Sequence, residues 1–230
     1  MRIAGLIGGM SWESTTEYYR IMNETVKEHY GGLHSAECIL YSFDFESIGS
    51  LQRENEWGKL TGMMIDAATR LKKAGADFIV ICTNTMHKMA DDIEKSVGLP
   101  LLHIADATGE AITKKGLRKV GLLGTTFTME EDFYKKRIND EYGIEIIIPP
   151  ENQRKTVHSI IFDELCVGEI STSSKERMLE IMRGLISSGA EGIILGCTEI
   201  PLLINQDDVD FPIFDTTAIH ARAAVSYALR

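Results

Sequence analysis

The chain has 230 residues, with 24 Lys and Arg against 34 Asp and Glu and a formal net charge of −10. No basic run supplies the clustered cations that phosphate backbones require, which excludes nucleic acid as a bulk partner. The longest apolar stretches, such as Phe78–Cys82 and Val97–Leu102, fall far short of the ~20 residues of a membrane span, so no membrane partner is expected either.

In chain order, β-branched runs at Ile3–Ile7, Glu37–Phe43, Phe78–Cys82, Leu101–Ile104, Val120–Leu123, Glu145–Ile148, Ile193–Leu195 and Ile213–Phe214 predict strands. Amphipathic segments between them, including Glu13–Lys27, Lys59–Lys73, Glu130–Asn139, Gln153–Leu165, Lys175–Ser187 and Thr217–Ala228, predict helices. Such alternation implies an α/β fold of mainly parallel sheets with helices on both faces. The N-terminal run is broken by Gly5, Gly8 and Gly9; it is too short for a secretory signal and reads as the first strand. Four cysteines without a CxxC or metal-ligand spacing predict free thiols in a reducing, cytoplasmic compartment and no metal site.

Self-comparison divides the chain. Arg2-Ile-Ala-Gly5-Leu-Ile-Gly8 matches Arg118-Lys-Val-Gly121-Leu-Leu-Gly124, residues 75–83 match residues 189–197, and Leu99-Pro100 matches Phe211-Pro212. Three matches in one order at nearly one offset, about half the chain, predict duplication into two similar α/β domains. The final strand and helix, from Ile213 onward, are then expected to return to the first half. Placing the boundary after that strand gives domains of residues 1–104 with 216–230, and 105–215. The site is expected in the cleft between them, outside the carboxyl ends of parallel strands.

Two strand ends carry the candidate chemistry: Cys82-Thr83-Asn84-Thr85-Met86-His87 and Gly196-Cys197-Thr198-Glu199. In each, an apolar strand runs into small polar residues and then a helix, so N–H groups and hydroxyls would converge on an anion such as a substrate carboxylate. Positive potential there would also lower a thiol's pKa from ~8.5. An isolated cysteine usually reads as a small core residue; a repeat-related position beside Thr and Asn favours chemistry for Cys197. Without a gap, the repeat pairs Cys197 with Thr83, and Cys82 with Gly196. Adjacent strand residues point to opposite faces, so Cys82 and Thr83 cannot both aim at one cleft atom unless the strand has already ended; by the repeat register Thr83 is the symmetry partner.

Gly8-Gly9-Met10-Ser11-Trp12-Glu13-Ser14-Thr15, Cys82 to His87, His103-Ile-Ala-Asp106-Ala-Thr108 and Gly196-Cys197-Thr198-Glu199-Ile200 together resemble the aspartate/glutamate racemases. This resemblance spans essentially the whole chain. It implies two pseudo-symmetric α/β domains, an amino-acid substrate, no cofactor, a homodimer, and one acid/base residue on each face of the substrate Cα. It places the second-domain catalytic cysteine at Cys197. Where two-cysteine relatives carry a cysteine directly before Asn-Thr, this chain has Thr83, with Cys82 one residue early, so Thr83 and Cys82 are both catalytic candidates for the first-domain acid/base residue. Met10, Gln52, Asn84, Thr85, Thr125, Thr198 and Glu199 match the family's substrate-holding positions.

Forming a thiolate at pH ~7 from a pKa of ~8.5 costs about 2 kcal/mol, whereas a hydroxyl near water's ~15.7 would cost about 12 kcal/mol. Thr83 therefore suits proton donation with relay of the charge, and Cys197 the base, acting on the L-enantiomer by analogy with the family. His34, His87, His103 and His220 read as structural. Arg53 and Lys59 read as solvated, as do Asp163 and Glu164, while Trp12 and Trp57 read as packing. The GxxGG spacing at Gly5-Leu-Ile-Gly8-Gly9 departs from the GxGxxG of dinucleotide sites. The resemblance thus implies racemisation of aspartate or glutamate; a broader-specificity amino-acid racemase, a decarboxylase or a cis/trans isomerase are alternatives within the superfamily, and a noncatalytic amino-acid or dicarboxylate binder is one outside enzyme chemistry.

Overall fold

Strand β1 (Ala4–Gly8) is buried along its whole length, as befits a central strand covered on both faces. The computed structural model describes all of Met1–Arg230. It comprises two compact units, Met1–His103 with His220–Arg230, and Ile104–Ile219.

In the first unit, β1 leads into α1 (Trp12–Tyr30), whose N-cap Ser11 accepts from the Ser14 N–H. Then come β2 (Cys38–Ser42), α2 (Phe45–Arg53), α3 (Trp57–Lys73), β3 (Phe78–Ile81), a 3₁₀ turn over Thr85–Met89, α4 (Ala90–Val97) and β4 (Leu101–Leu102). The sheet order is β2-β1-β3-β4, with all pairs parallel. Ile7, Ile48, Leu60, Met64, Ile79 and Ile81 belong to its core.

The second unit repeats the plan with α5 (Ile104–Lys114), β5 (Lys119–Gly124), α6 (Thr126–Glu130), α7 (Asp132–Tyr142), β6 (Glu145–Ile147), α8 (Glu151–Ser159), α9 (Thr172–Ser187), β7 (Ile193–Gly196) and β8 (Ile213–Asp215). Its order is β6-β5-β7-β8, again all parallel. The last helix, α10, covers Thr216–Ala228. These are two pseudo-symmetric α/β domains, each a parallel sheet flanked by helices.

The repeat recurs in structural detail. Gly75 and Gly189 both have positive φ, at 105° and 95°, the backbone region that glycine enters freely. Two residues on, Asp77 accepts from the Ile3 N–H at 2.6 Å, and Glu191 accepts from the Arg118 and Lys119 N–H groups at 2.7 and 2.9 Å. Gly5 pairs with Ile79 in one sheet, and Gly121 with Ile193 in the other.

Four expectations need correction. Strand β8 pairs with β7 in the second sheet, so the final strand does not return to the first half. Ile104 starts α5 instead of ending a strand. The predicted helix over Glu130–Asn139 is interrupted at Glu131, whose extended backbone (ψ 159°) separates α6 from α7. Gln153–Leu165 is α8 followed by a π-helical turn over Ile160–Glu164.

Candidate active site

Both sheets place β1 or β5 beside β3 or β7, the point where the strand order reverses direction and ligands of open parallel sheets bind. In the first unit, the chain leaving β1 carries Met10, and the chain leaving β3 carries Thr83, Asn84 and Thr85. In the second, Thr125 follows β5 and Cys197, Thr198 and Glu199 follow β7. Gln52 lies on α2; its amide nitrogen donates to Met86 Sδ at 3.4 Å, which packs it on the turn after β3.

Strand register settles which residues correspond. Ile7 is opposite Ile81, and the Cys82 N–H donates to the Ile7 carbonyl, so Gly8 lies opposite Cys82. In the second sheet Gly124 is opposite Gly196. Gly8 corresponds to Gly124, hence Cys82 to Gly196 and Thr83 to Cys197. Cys82 is wholly buried, while Thr83, the next residue, is partly exposed. Burial, and secondarily Cys38, pushes the Cys82 thiol pKa upward, as a low-dielectric surrounding disfavours the thiolate.

At the second strand end, Cys197 Sγ donates to Glu199 Oε2 at 2.8 Å, and Thr198 Oγ1 donates to the same oxygen at 3.1 Å. All three residues are buried. The Cys197 pKa is raised well above the ordinary thiol range, by burial first, then by the Glu199 carboxylate and by Cys166. This corrects the expectation of a thiol made acidic by a helix N-terminus. The strand leads instead into a short 3₁₀ turn, Ile200–Leu202, and the nearest formal charge is negative. The resting group is a thiol with a carboxylate as its proton acceptor. Glu199 thereby has a contact that its expected substrate-holding role did not include.

The remaining predicted residues are buried in varied settings. Met10 joins the first core, and Asn84 and Thr85 are buried in the turn after β3. Gln52 Oε1 is buried without a hydrogen-bond partner, an arrangement costing about 1–3 kcal/mol unless a donor arrives. Thr125 is the N-cap of α6: its Oγ1 accepts from the Thr128 N–H at 3.3 Å and contacts Thr128 Oγ1 at 3.2 Å.

Other readings divide. Arg53 pairs with Glu46 at 2.6 Å and Lys59 with Glu56 at 3.2 Å, both exposed. Glu164 is only partly exposed: Oε1 accepts from Ser174 Oγ at 2.8 Å and Oε2 is buried. Trp12 is 67% exposed, so it is not packing. His87, expected to be structural, donates from Nδ1 to the Thr83 carbonyl itself at 2.8 Å; only its spacing of four from Thr83 hints at this. A cavity of about 580 Å³ lined by Lys155, Asp163, Glu164, Ser174, Arg177 and neighbours includes none of the strand-end residues and takes no part in this site.

A model of the Asp/Glu/hydantoin racemase family matches residues 7–224. The chain is similar over its whole length to the crystal structure of a Yersinia pestis protein assigned to the Asp/Glu racemases, at 54% identity, TM-score 0.92 and full coverage of both chains. It is also similar to an aspartate racemase homologue from Pyrococcus horikoshii OT3, at 38% identity, TM-score 0.86 and full coverage of both. Broad specificity amino-acid racemase RacX of Bacillus subtilis (strain 168) is 24% identical over 225 residues, 96% of either chain. The protein belongs to the Asp/Glu/hydantoin racemase family and is an isomerase of the racemase type. No helix is long and apolar enough to cross a membrane.

Proposed function

We propose that the protein racemises an acidic amino acid, aspartate or glutamate, without a cofactor, using Cys197 and Thr83 on opposite faces of the substrate Cα. The observation that carries this reading is the thiol of Cys197 hydrogen-bonded at 2.8 Å to the buried carboxylate of Glu199. That pair is an acid/base unit: the S–H proton moves to Glu199 Oε2, and the thiolate takes the Cα proton of the L-enantiomer. Close contact makes this transfer local, so the raised thiol pKa does not require a free thiolate in the resting protein.

Thr83 then donates its hydroxyl proton to the opposite face of the carbanion, and a water or neighbouring group returns a proton to the oxygen. Its partial exposure, against the complete burial of Cys82, favours Thr83 for this role. Met10, Asn84, Thr85, Thr125 and Thr198 would hold the substrate. The orphan oxygen of Gln52 is suited to a substrate ammonium. With net charge −10, an acidic substrate would be held by hydroxyls, amides and backbone N–H groups against the protein's overall field. A homodimer in the cytoplasm is part of the same reading.

The test is a chiral assay of the purified protein with L- and D-aspartate and glutamate, and a wider amino-acid panel, without added cofactor. Interconversion of an acidic pair is expected. Cys197→Ala and Thr83→Ala should each lower kcat/KM by at least ~10²-fold, and Cys82→Ala far less. Loss of activity in Cys82→Ala with Thr83→Ala fully active would reverse the first-domain assignment, and turnover confined to neutral amino acids would overturn the substrate.

A further inference from the structure

Behind the first strand end lie three buried histidines that the proposed chemistry does not use: His87, His103 and His220. The His87 ring centroid is 4.6 Å from that of His103 and 5.6 Å from that of His220. His220 is itself pinned. Its Nε2 lies 2.9 Å from the Leu102 carbonyl, which can only accept, so Nε2 carries the proton and Nδ1 accepts from the Tyr18 hydroxyl at 2.9 Å. The same rule applied to His87 puts its proton on Nδ1, donated to the Thr83 carbonyl at 2.8 Å.

The second unit closes the corresponding turn differently. There the Cys197 carbonyl accepts from the Ile200 backbone N–H at 3.2 Å, and the residue that corresponds to His87 is Pro201. The Thr83 carbonyl thus relies on a side chain for a contact that the backbone supplies to Cys197. That side chain packs against the rings of His103 and His220. Fixing the carbonyl restricts rotation about the Thr83 Cα–C bond, and with it the orientation of the Cα–Cβ bond that carries the hydroxyl.

We propose that His87 is a positioning residue, which through its Nδ1–H bond to the Thr83 carbonyl holds the Thr83 hydroxyl in place for proton transfer; this rests on the reading of Thr83 as an acid/base group. The test follows L-aspartate or L-glutamate in D₂O and separates two rates. Exchange at Cα with retention needs only Cys197, whereas inversion to the D-enantiomer needs Thr83 as well. His87→Leu is expected to slow inversion roughly 10- to 100-fold, the scale of a small misplacement of a reacting group, with retention exchange within about twofold of wild type. His87→Asn, whose amide N–H falls near the Nδ1 position, should recover most of the inversion rate. Should the leucine variant fail to fold, His87→Gln, with its amide near Nε2, is the losing variant compared with His87→Asn. Proportional loss of both rates, no loss of inversion, or no advantage of Asn over Leu or Gln would overturn the inference. Wild-type protein that neither exchanges nor inverts any acidic amino acid would instead overturn the racemase reading on which it rests.

Discussion

Glu199 is the residue whose role changes most between sequence and structure. A carboxylate that only holds substrate should affect KM, whereas one that receives the Cys197 proton should affect kcat. Glu199→Gln keeps the shape and removes the acceptor, so kcat is expected to fall by ~10²–10⁴ with a smaller change in KM. The same substitution removes a negative charge that raises the Cys197 pKa. The pH midpoint of iodoacetamide alkylation at Cys197, read by mass spectrometry, should therefore move down while remaining above the ordinary thiol range because burial persists. A rise in KM at unchanged kcat would return Glu199 to substrate holding. The string Gly196-Cys197-Thr198-Glu199 is visible in the sequence, and the repeat alone aligns Thr83 with Cys197. The sign of the thiol's pKa shift was not visible, since burial and a carboxylate at 2.8 Å are properties of the folded environment.

At the scale of elements, all eight strands are legible as short apolar runs, most of them rich in Ile and Val though β4 is only Leu101–Leu102, and most helices because their apolar spacing is helical. What the pattern concealed were changes of winding within a continuous periodicity. The apolar spacing runs through Glu131 and through Ile160–Glu164, so neither the break between α6 and α7 nor the π-helical turn has a signal at the level of residue type. Glycine positions show the opposite case, where residue type alone does not give the sign of a substitution. A Cβ at Gly5 would lie 2.8 Å from Ala76 Cβ and 3.2 Å from the Phe78 carbonyl oxygen, atoms that cannot swing aside. A Cβ at Gly184, within α9, would meet nothing within 4 Å. Gly5→Ala is accordingly expected to destabilise by roughly 1–3 kcal/mol through overpacking. Gly184→Ala should stabilise by about 0.5–1 kcal/mol through helix propensity and lower unfolded-state entropy. Denaturant unfolding of both variants checks the pair, and shifts of the same sign would contradict the close approach of β1 to Ala76.

For the molecule as a whole, the C-terminal segment makes the first unit discontinuous in sequence, and His220 is where that segment is tied down most deeply. Arg2 N–H donates to the Ala228 carbonyl at 2.9 Å, and the Tyr227 ring lies 4.8 Å from that of Phe78; His220 adds its bonds to Tyr18 and Leu102. Burial, and then His87, holds the His220 pKa down to about 3, against the bonding to Leu102 that raises it. The unfolded chain, with an ordinary histidine pKa of ~6.5, takes up this proton first as the pH falls. The contribution of His220 to stability is thus complete above ~6.5 and declines as the pH drops from there toward 3, with a limiting slope of about 1.36 kcal/mol per unit. Between pH 7 and pH 5 that amounts to a loss of about 2 kcal/mol. His220→Phe would leave the Tyr18 hydroxyl without its imidazole acceptor, so the variant is expected to be less stable than wild type at pH 7. It should nevertheless lose about 2 kcal/mol less on going to pH 5, because Phe has no proton to gain. His158, whose pKa burial also lowers, contributes equally to both proteins and cancels in the difference. Urea unfolding of the two proteins at both pH values measures the quantity directly, and parallel losses would mean that His220 is not held neutral by its burial.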